Sequence, residues 1–102
     1  MTGGRLTTHV LDTARGKPAA GVKIALYRVS GNSHRKIAET VTNADGRTDA
    51  PLLTGDDLKV GTYELHFDVA AYFTARGTSM PQPPFLDVVT LRFGVADAHG
   101  NY

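Results

Sequence analysis

Apolar and polar residues alternate along most of this chain, and a period of two sends successive side chains to opposite faces of a strand. The clearest run is "TYELHFDV" at 62–69. It puts Tyr63, Leu65, Phe67 and Val69 on one face and Glu64, His66 and Asp68 on the other, the pattern of a half-buried strand with a polar outer side. "VKIALYRV" at 22–29 sets Val22, Ile24 and Leu26 against Lys23, Ala25 and Tyr27, and "FLDVVTLRFGV" at 85–95 groups Phe85, Val89, Leu91, Phe93 and Val95 on one parity. Residues 5–12 and "IAETVT" at 37–42 predict two further strands. "RTDAPL" at 47–52 predicts a short edge strand weakened by Pro51. Between them fall a turn at "RGKPAAG" (15–21), a hairpin loop at "SGNSHRK" (30–36), a tight turn at "NADG" (43–46) and a loop at "SMPQPP" (79–84). Only "AAYFTARG" at 70–77 predicts a helix, ending at Gly77. The tail "ADAHGNY" reads as a turn that begins a further element. Strands at short spacing with one short helix argue for an all-β sandwich. No repeat or linker interrupts the pattern, so residues 1–102 are expected to form one domain.

The first strand carries the chemistry. On residues 6–11, Leu6, Thr8 and Val10 form one parity set, suited to a core. Thr7, His9 and Leu11 form the other, a mixed set expected on a surface that is wet yet enclosed by another subunit. An imidazole there is a candidate proton acceptor, because histidine changes charge near neutrality. Arg47 follows Asp45-Gly46 directly. Alone it reads as a solvated arginine after a turn; beside an imidazole, a permanent cation can hold an anionic substrate or stabilise an oxyanion. Their separation along the chain leaves open whether the two meet. His66 is expected to be exposed on the polar side of its strand, and His34 to lie in a loop. Asp12 could orient a neighbour or cap the turn that follows it, and the cap is the favoured expectation; Tyr72 and Phe73 are expected to pack. Four scattered histidines without cysteine make a zinc site improbable.

Composition narrows the field. Of the 102 residues, 41% are hydrophobic and 21% charged, a globular balance, and the formal net charge of +1 with no basic run gives no footprint for nucleic acid or an anionic membrane. The absence of cysteine excludes disulfides and thiolate metal sites within the sequence. No cationic start leads into an apolar stretch, and no apolar run approaches the roughly 20 residues of a membrane helix. A cytoplasmic location is the expectation.

The blocks "LTTHVLDTARGKPAAGVKIALYR", "TNADGRTDAPLL", "GTYELHF", "YF" and "QPPFLDVVTLRF" resemble the transthyretin-related 5-hydroxyisourate hydrolases, in order and at family-like spacing, from about residue 6 to 102. The resemblance implies a transthyretin-like β-sandwich of two four-stranded sheets with one short helix. It implies a homotetramer with active sites in a channel between dimers. The implied activity is ring opening of 5-hydroxyisourate, the product of urate oxidation, to 2-oxo-4-hydroxy-4-carboxy-5-ureidoimidazoline, with no cofactor or metal. His9 matches the family's first catalytic histidine and Arg47 its substrate-binding arginine. His9 would then face the channel and orient or deprotonate the attacking water, while Arg47 holds the polar ring. Thr7 and Leu11 would line the same wall. A transthyretin-like carrier without catalysis is the alternative, and His9 and Arg47 argue against it. A structural module of a larger surface protein is a third possibility, disfavoured by the lack of linkers and repeats.

After the tyrosine matching Tyr102, members of that family continue with His-Val-Pro or His-Ile-Pro, an apolar strand and a terminal Tyr-Arg-Gly-Ser, which hold a second catalytic histidine. The native chain is therefore expected to continue past Tyr102, and residues 1–102 alone are expected to fold poorly or to lack activity. Without that segment one sheet would keep only the first strand and the short strand near 47–52, with its inner apolar face open. His99, in a Gly/Asn turn, is a poor substitute for the missing histidine.

Overall fold

A computed structural model of the chain describes residues 3–102. Its strands are β1 (Arg5–Leu6), β2 (Leu11–Asp12), β3 (Lys17–Pro18), β4 (Lys23–Ser30), β5 (Ser33–Val41), β6 (Leu53–Thr54), β7 (Gly61–Asp68) and β8 (Val88–Val95), with a helix, α1 (Val69–Ala75), between β7 and β8. The alternating runs at 22–29 and 62–69 become the centre of an antiparallel sheet of order β5-β4-β7-β8. Leu26 pairs with Leu65 and Ile24 with Phe67, and Leu65 pairs in turn with Leu91. Leu26 and Tyr63 have 0% exposure and Ile24 1%, so the inner face is the one the alternation marked. Each such side chain contributes about 1.5–3 kcal/mol by leaving water.

The hairpin joining β4 and β5 is tighter than expected. Ser33 through Lys36 pair with Ser30 back to Tyr27, which leaves only Gly31 and Asn32 in the turn, with Gly31 at φ 58°. This end of β5 is exposed. An edge strand without a buried face has no need of apolar periodicity, which is why it reads as loop in the sequence. Phe85 also departs from the expectation. It lies in the loop before β8 and is 97% exposed, because the strand starts only at Val88, past the prolines.

The layer facing the sheet is built of short ladders. β1 pairs with β6 and β2 with β3. The single strand expected over 5–12 is therefore divided, with residues 7–10 outside both ladders. The edge strand expected at 47–52 forms at Leu53–Thr54, beyond Pro51, with Leu6 opposite Leu53 and the Leu52 N–H donating to the Leu6 carbonyl at 2.8 Å. On the other side of β1 the tail does begin an element. Asn101 bridges Arg5 in parallel, the Thr7 N–H donates to the Tyr102 carbonyl at 2.8 Å and the Tyr102 N–H to the Arg5 carbonyl at 2.8 Å. Leu6, Leu58 and Val95 close the core between the layers. α1 begins one residue earlier than expected. Its cap is the Asp68 side chain, which accepts from the Ala71 N–H, and the chain leaves it through Gly77 at φ 81°. Among the described residues, no helix is long and apolar enough to cross a membrane.

The outer face of the sheet is less wet than its polar parity suggests. Glu64 is only 6% exposed. The Arg92 Nε donates to its Oε2 at 2.9 Å, His66 Nε2 lies 3.0 Å from Oε1 and His34 Nε2 lies 3.3 Å from Oε2. The Tyr27 ring covers His66 at 4.4 Å between centroids. Hydrogen bonds from His66, then Arg92, against an opposing cost of burial, with a smaller contribution from His34, lower the Glu64 pKa to about 2. A carboxylate more acidic in the folded than in the unfolded chain stabilises the fold above its ordinary value of 4.5, and that stability is lost as pH falls toward 2. The melting temperature is expected to fall through this acid range, and Glu64→Gln to flatten the fall. Equal slopes in the two proteins would show that the cluster contributes nothing to acid stability.

Candidate active site

The turn at 43–46 is built by its own side chains. Asn43 Oδ1 accepts from the N–H of Asp45 at 2.9 Å and of Arg47 at 3.3 Å. The Asn43 N–H donates to the Arg47 carbonyl at 2.7 Å and the Gly46 N–H to the Asn43 carbonyl at 2.9 Å. Gly46 has φ 74°, a conformation that favours glycine. Its second role is contact. A Cβ at this position would lie 2.3 Å from the Val10 carbonyl oxygen, so only glycine lets the turn rest on the first strand. The Val10 N–H then donates to the Gly46 carbonyl at 2.8 Å, and the Val10 carbonyl accepts from the Ala19 N–H at 2.9 Å.

This seating makes His9 and Arg47 partners in an antiparallel bridge. Side chains of bridged residues leave on the same face with Cβ atoms on the order of 5 Å apart. Both residues are exposed. Burial along the strand follows the parity read from the sequence: Leu6 is buried, Thr7, His9 and Leu11 are exposed, and Thr8 and Val10 are half-buried. Asp49, the nearest acid after Arg47 in the chain, is engaged by Asn43 Nδ2 at 3.0 Å.

Two depressions meet at this strand. One, of about 140 Å³, is polar-rimmed and lined by Thr7, Thr8, Arg47, Thr48, Asp49 and Pro51 among others. The other, of about 350 Å³, is apolar and opens between the layers, with His9 and Leu11 at its edge and Val22, Phe67, Phe73 and Val89 in its wall. Thr8 borders both. An imidazole and a guanidinium on one wet face provide a proton acceptor and a fixed cation for a polar ligand.

Asp12 does more than cap its turn. It accepts from the Arg15 N–H at 3.1 Å and also from the Tyr72 hydroxyl at 2.8 Å, in a pair where both residues are 5% exposed. The Tyr72 hydroxyl above all, helped by Arg15 and opposed by burial, holds the Asp12 carboxyl below the usual range. Tyr72 and Gly46 carry no mark of these roles in the alternation of the sequence; only the "NADG" turn signal hinted at Gly46. His99 lies beside Gly3, Gly55 and Lys59, at the other end of β1 from His9, and does not join the site. His34 and His66 belong to the outer face of the large sheet.

Comparison with known proteins gives concordant matches. The family model described as HIUase/Transthyretin family matches residues 6–102. A 5-hydroxyisourate hydrolase of Deinococcus radiodurans is 62% identical over 97 residues, which span 95% of this chain and 81% of that protein. A solved (S)-allantoin synthase superposes with a TM-score of 0.91 at 42% identity, covering 98% of this chain but 38% of that one. The structure of Klebsiella pneumoniae 5-hydroxyisourate hydrolase superposes with a TM-score of 0.76 at 31% identity, covering 96% of this chain and 84% of that one.

Gly46→Ala tests the seating of the turn. It is expected to destabilise the chain by about 1–3 kcal/mol in urea unfolding, since the new methyl meets backbone and the φ is strained. Amide exchange at Val10 should accelerate with it. Unchanged stability together with unchanged exchange would contradict the seating.

Proposed function

This chain belongs to the HIUase/Transthyretin family, and from that membership and the pairing of His9 with Arg47 we propose that it hydrolyses 5-hydroxyisourate to 2-oxo-4-hydroxy-4-carboxy-5-ureidoimidazoline in urate catabolism. The reaction needs a water made nucleophilic and a place for charge that develops on the ring. His9 takes a proton from the water as its oxygen bonds to the ring amide carbon. The ring C–N bond breaks, and the proton returns to the leaving nitrogen. Arg47 holds the polar ring against that water and offsets the negative charge on the amide oxygen as it forms. Thr7 and Leu11, exposed on the same parity, extend the wall.

The observation that carries this reading is the antiparallel bridge joining residues 9 and 47, which are 38 positions apart in the chain, so that a base and a cation share one face. That face is open on a single chain. We propose that further copies cover it in a homotetramer, which excludes bulk water and strengthens the electrostatic interactions inside.

A urate-oxidase-coupled absorbance assay tests the activity. The native protein is expected to speed decay of the 5-hydroxyisourate signal. His9→Ala should lower kcat by about 10²–10⁴-fold with little change in melting temperature, because His9 is exposed and contributes no core packing. Arg47→Ala should raise KM and lower kcat together. Unchanged decay with saturable binding of an iodinated aromatic would favour the carrier, and wild-type rates in either variant would remove that residue from the mechanism.

A further inference from the structure

α1 carries two side chains, one helical turn apart, that grip the same excursion of the chain. The Tyr72 hydroxyl donates to Asp12 Oδ2 at 2.8 Å, and the guanidinium of Arg76, the residue that ends the helix, donates to the Ala20 carbonyl. The guanidinium also lies over the Tyr72 ring, 4.6 Å from its centroid. Asp12 ends β2 at the turn of the β2–β3 hairpin and Ala20 follows β3, so the helix holds this excursion at two points.

The grip reaches His9 through backbone alone. His9 stands in the gap between the β1 ladder, which ends at Leu6, and the β2 ladder, which begins at Leu11. Within that gap the Val10 N–H donates to Gly46 and its carbonyl accepts from Ala19, the neighbour of the residue that Arg76 holds. Asp12 is the next anchored residue beyond. The place of His9 opposite Arg47 is thus set by the turn directly and by α1 through the hairpin. A hairpin that needed only to be fastened down could use apolar contact. Here the fastening is a carboxylate buried to 5% exposure with a directional donor, which fixes the advance of the strand along its own axis as well as its distance from the helix.

We propose that Tyr72 and Asp12 are positioning residues for His9. This rests on the proposed role of His9 in hydrolysis, and the test separates the two claims. Tyr72→Phe removes one hydroxyl and keeps the ring, its edge contact with Phe73 at 5.1 Å and its stacking under Arg76. Asp12→Asn keeps an oxygen that can accept from Tyr72. Both variants of the native protein are compared with wild type by amide exchange, by the NMR signal of the His9 imidazole and by the hydrolysis assay.

In Tyr72→Phe the Val10 amide is expected to exchange about tenfold faster while the Leu65 amide, in the centre of the large sheet, keeps its rate. The His9 imidazole signal should shift, and kcat should fall about tenfold with KM nearly constant, since Arg47 is held by the separate Asn43 turn. Asp12→Asn, which can keep the Tyr72 bond but loses the one from the Arg15 N–H, should shift the His9 signal and lower kcat less than Tyr72→Phe does. An unmoved His9 signal in Tyr72→Phe, or exchange that accelerates equally at Val10 and Leu65, would overturn the proposal and leave Tyr72 a general stabiliser. A wild-type chain without hydrolysis whose His9 signal still responds to Tyr72→Phe would refute the catalytic role and leave the positioning intact.

Discussion

Two hydrogen bonds at one residue organise the candidate site. The Val10 N–H is taken by Gly46 and the Val10 carbonyl by Ala19, so a turn and a hairpin close on the same residue. Each such bond contributes a net of only about 0.5–1.5 kcal/mol. Their importance is geometric. They fix the register of a strand segment with little ladder of its own, and in a strand a slip of one residue would turn His9 away from Arg47 and put Val10 in its place. The bare Cα of Gly46 is the condition for this arrangement, because any side chain there would hold the turn off the strand.

The four-stranded sheet gives that junction something to rest against. Ile24, Leu26, Tyr63, Leu65 and Phe67 form a buried inner face, and Leu6 and Ala19 bring the other layer onto it. The sheet is also held on its outer side. Glu64 joins three strands through Arg92 on β8 and His34 on β5, with His66 beside it on β7. A buried carboxylate is costly without partners, and here its oxygens are met by three donor groups. The layer bearing His9 has only short ladders, so its order comes from individual contacts: the turn at 43–46, the tail along β1, and Tyr72 and Arg76 on α1. This division suits catalysis, with a stiff platform beneath a small set of directional supports.

Much of this was legible in the residues. The parity of 62–69 and 22–29 marked the inner face of the sheet, the parity of 6–11 marked which side of the first strand is wet, and Asn43 to Gly46 marked a turn. Membership of the family, inferred from ordered blocks of sequence, agrees with the matches across residues 6–102. The illegible parts share a cause, which is that tertiary partners decided them. Nothing in alternation reveals that Glu64 on a polar face is buried by an arginine and a histidine from other strands together with its neighbour His66. Ser33 to Lys36 lack a pattern because they form an exposed edge, and the short strand moved past Pro51 because Leu53 is the residue that meets Leu6. Asp12 was read as a local cap because its second partner, Tyr72, is 60 residues away.

The central claim is that residues 9 and 47 are true cross-strand neighbours. In an antiparallel pair whose adjacent residues are hydrogen-bonded, as Val10 is to Gly46, the α-protons of the next pair point at each other. The most direct measurement is therefore the nuclear Overhauser effect between the α-protons of His9 and Arg47 in the isotope-labelled chain. A strong cross-peak is the predicted result. A spectrum in which both α-protons are assigned, the large sheet shows its own cross-strand peaks and this one is missing would contradict the account.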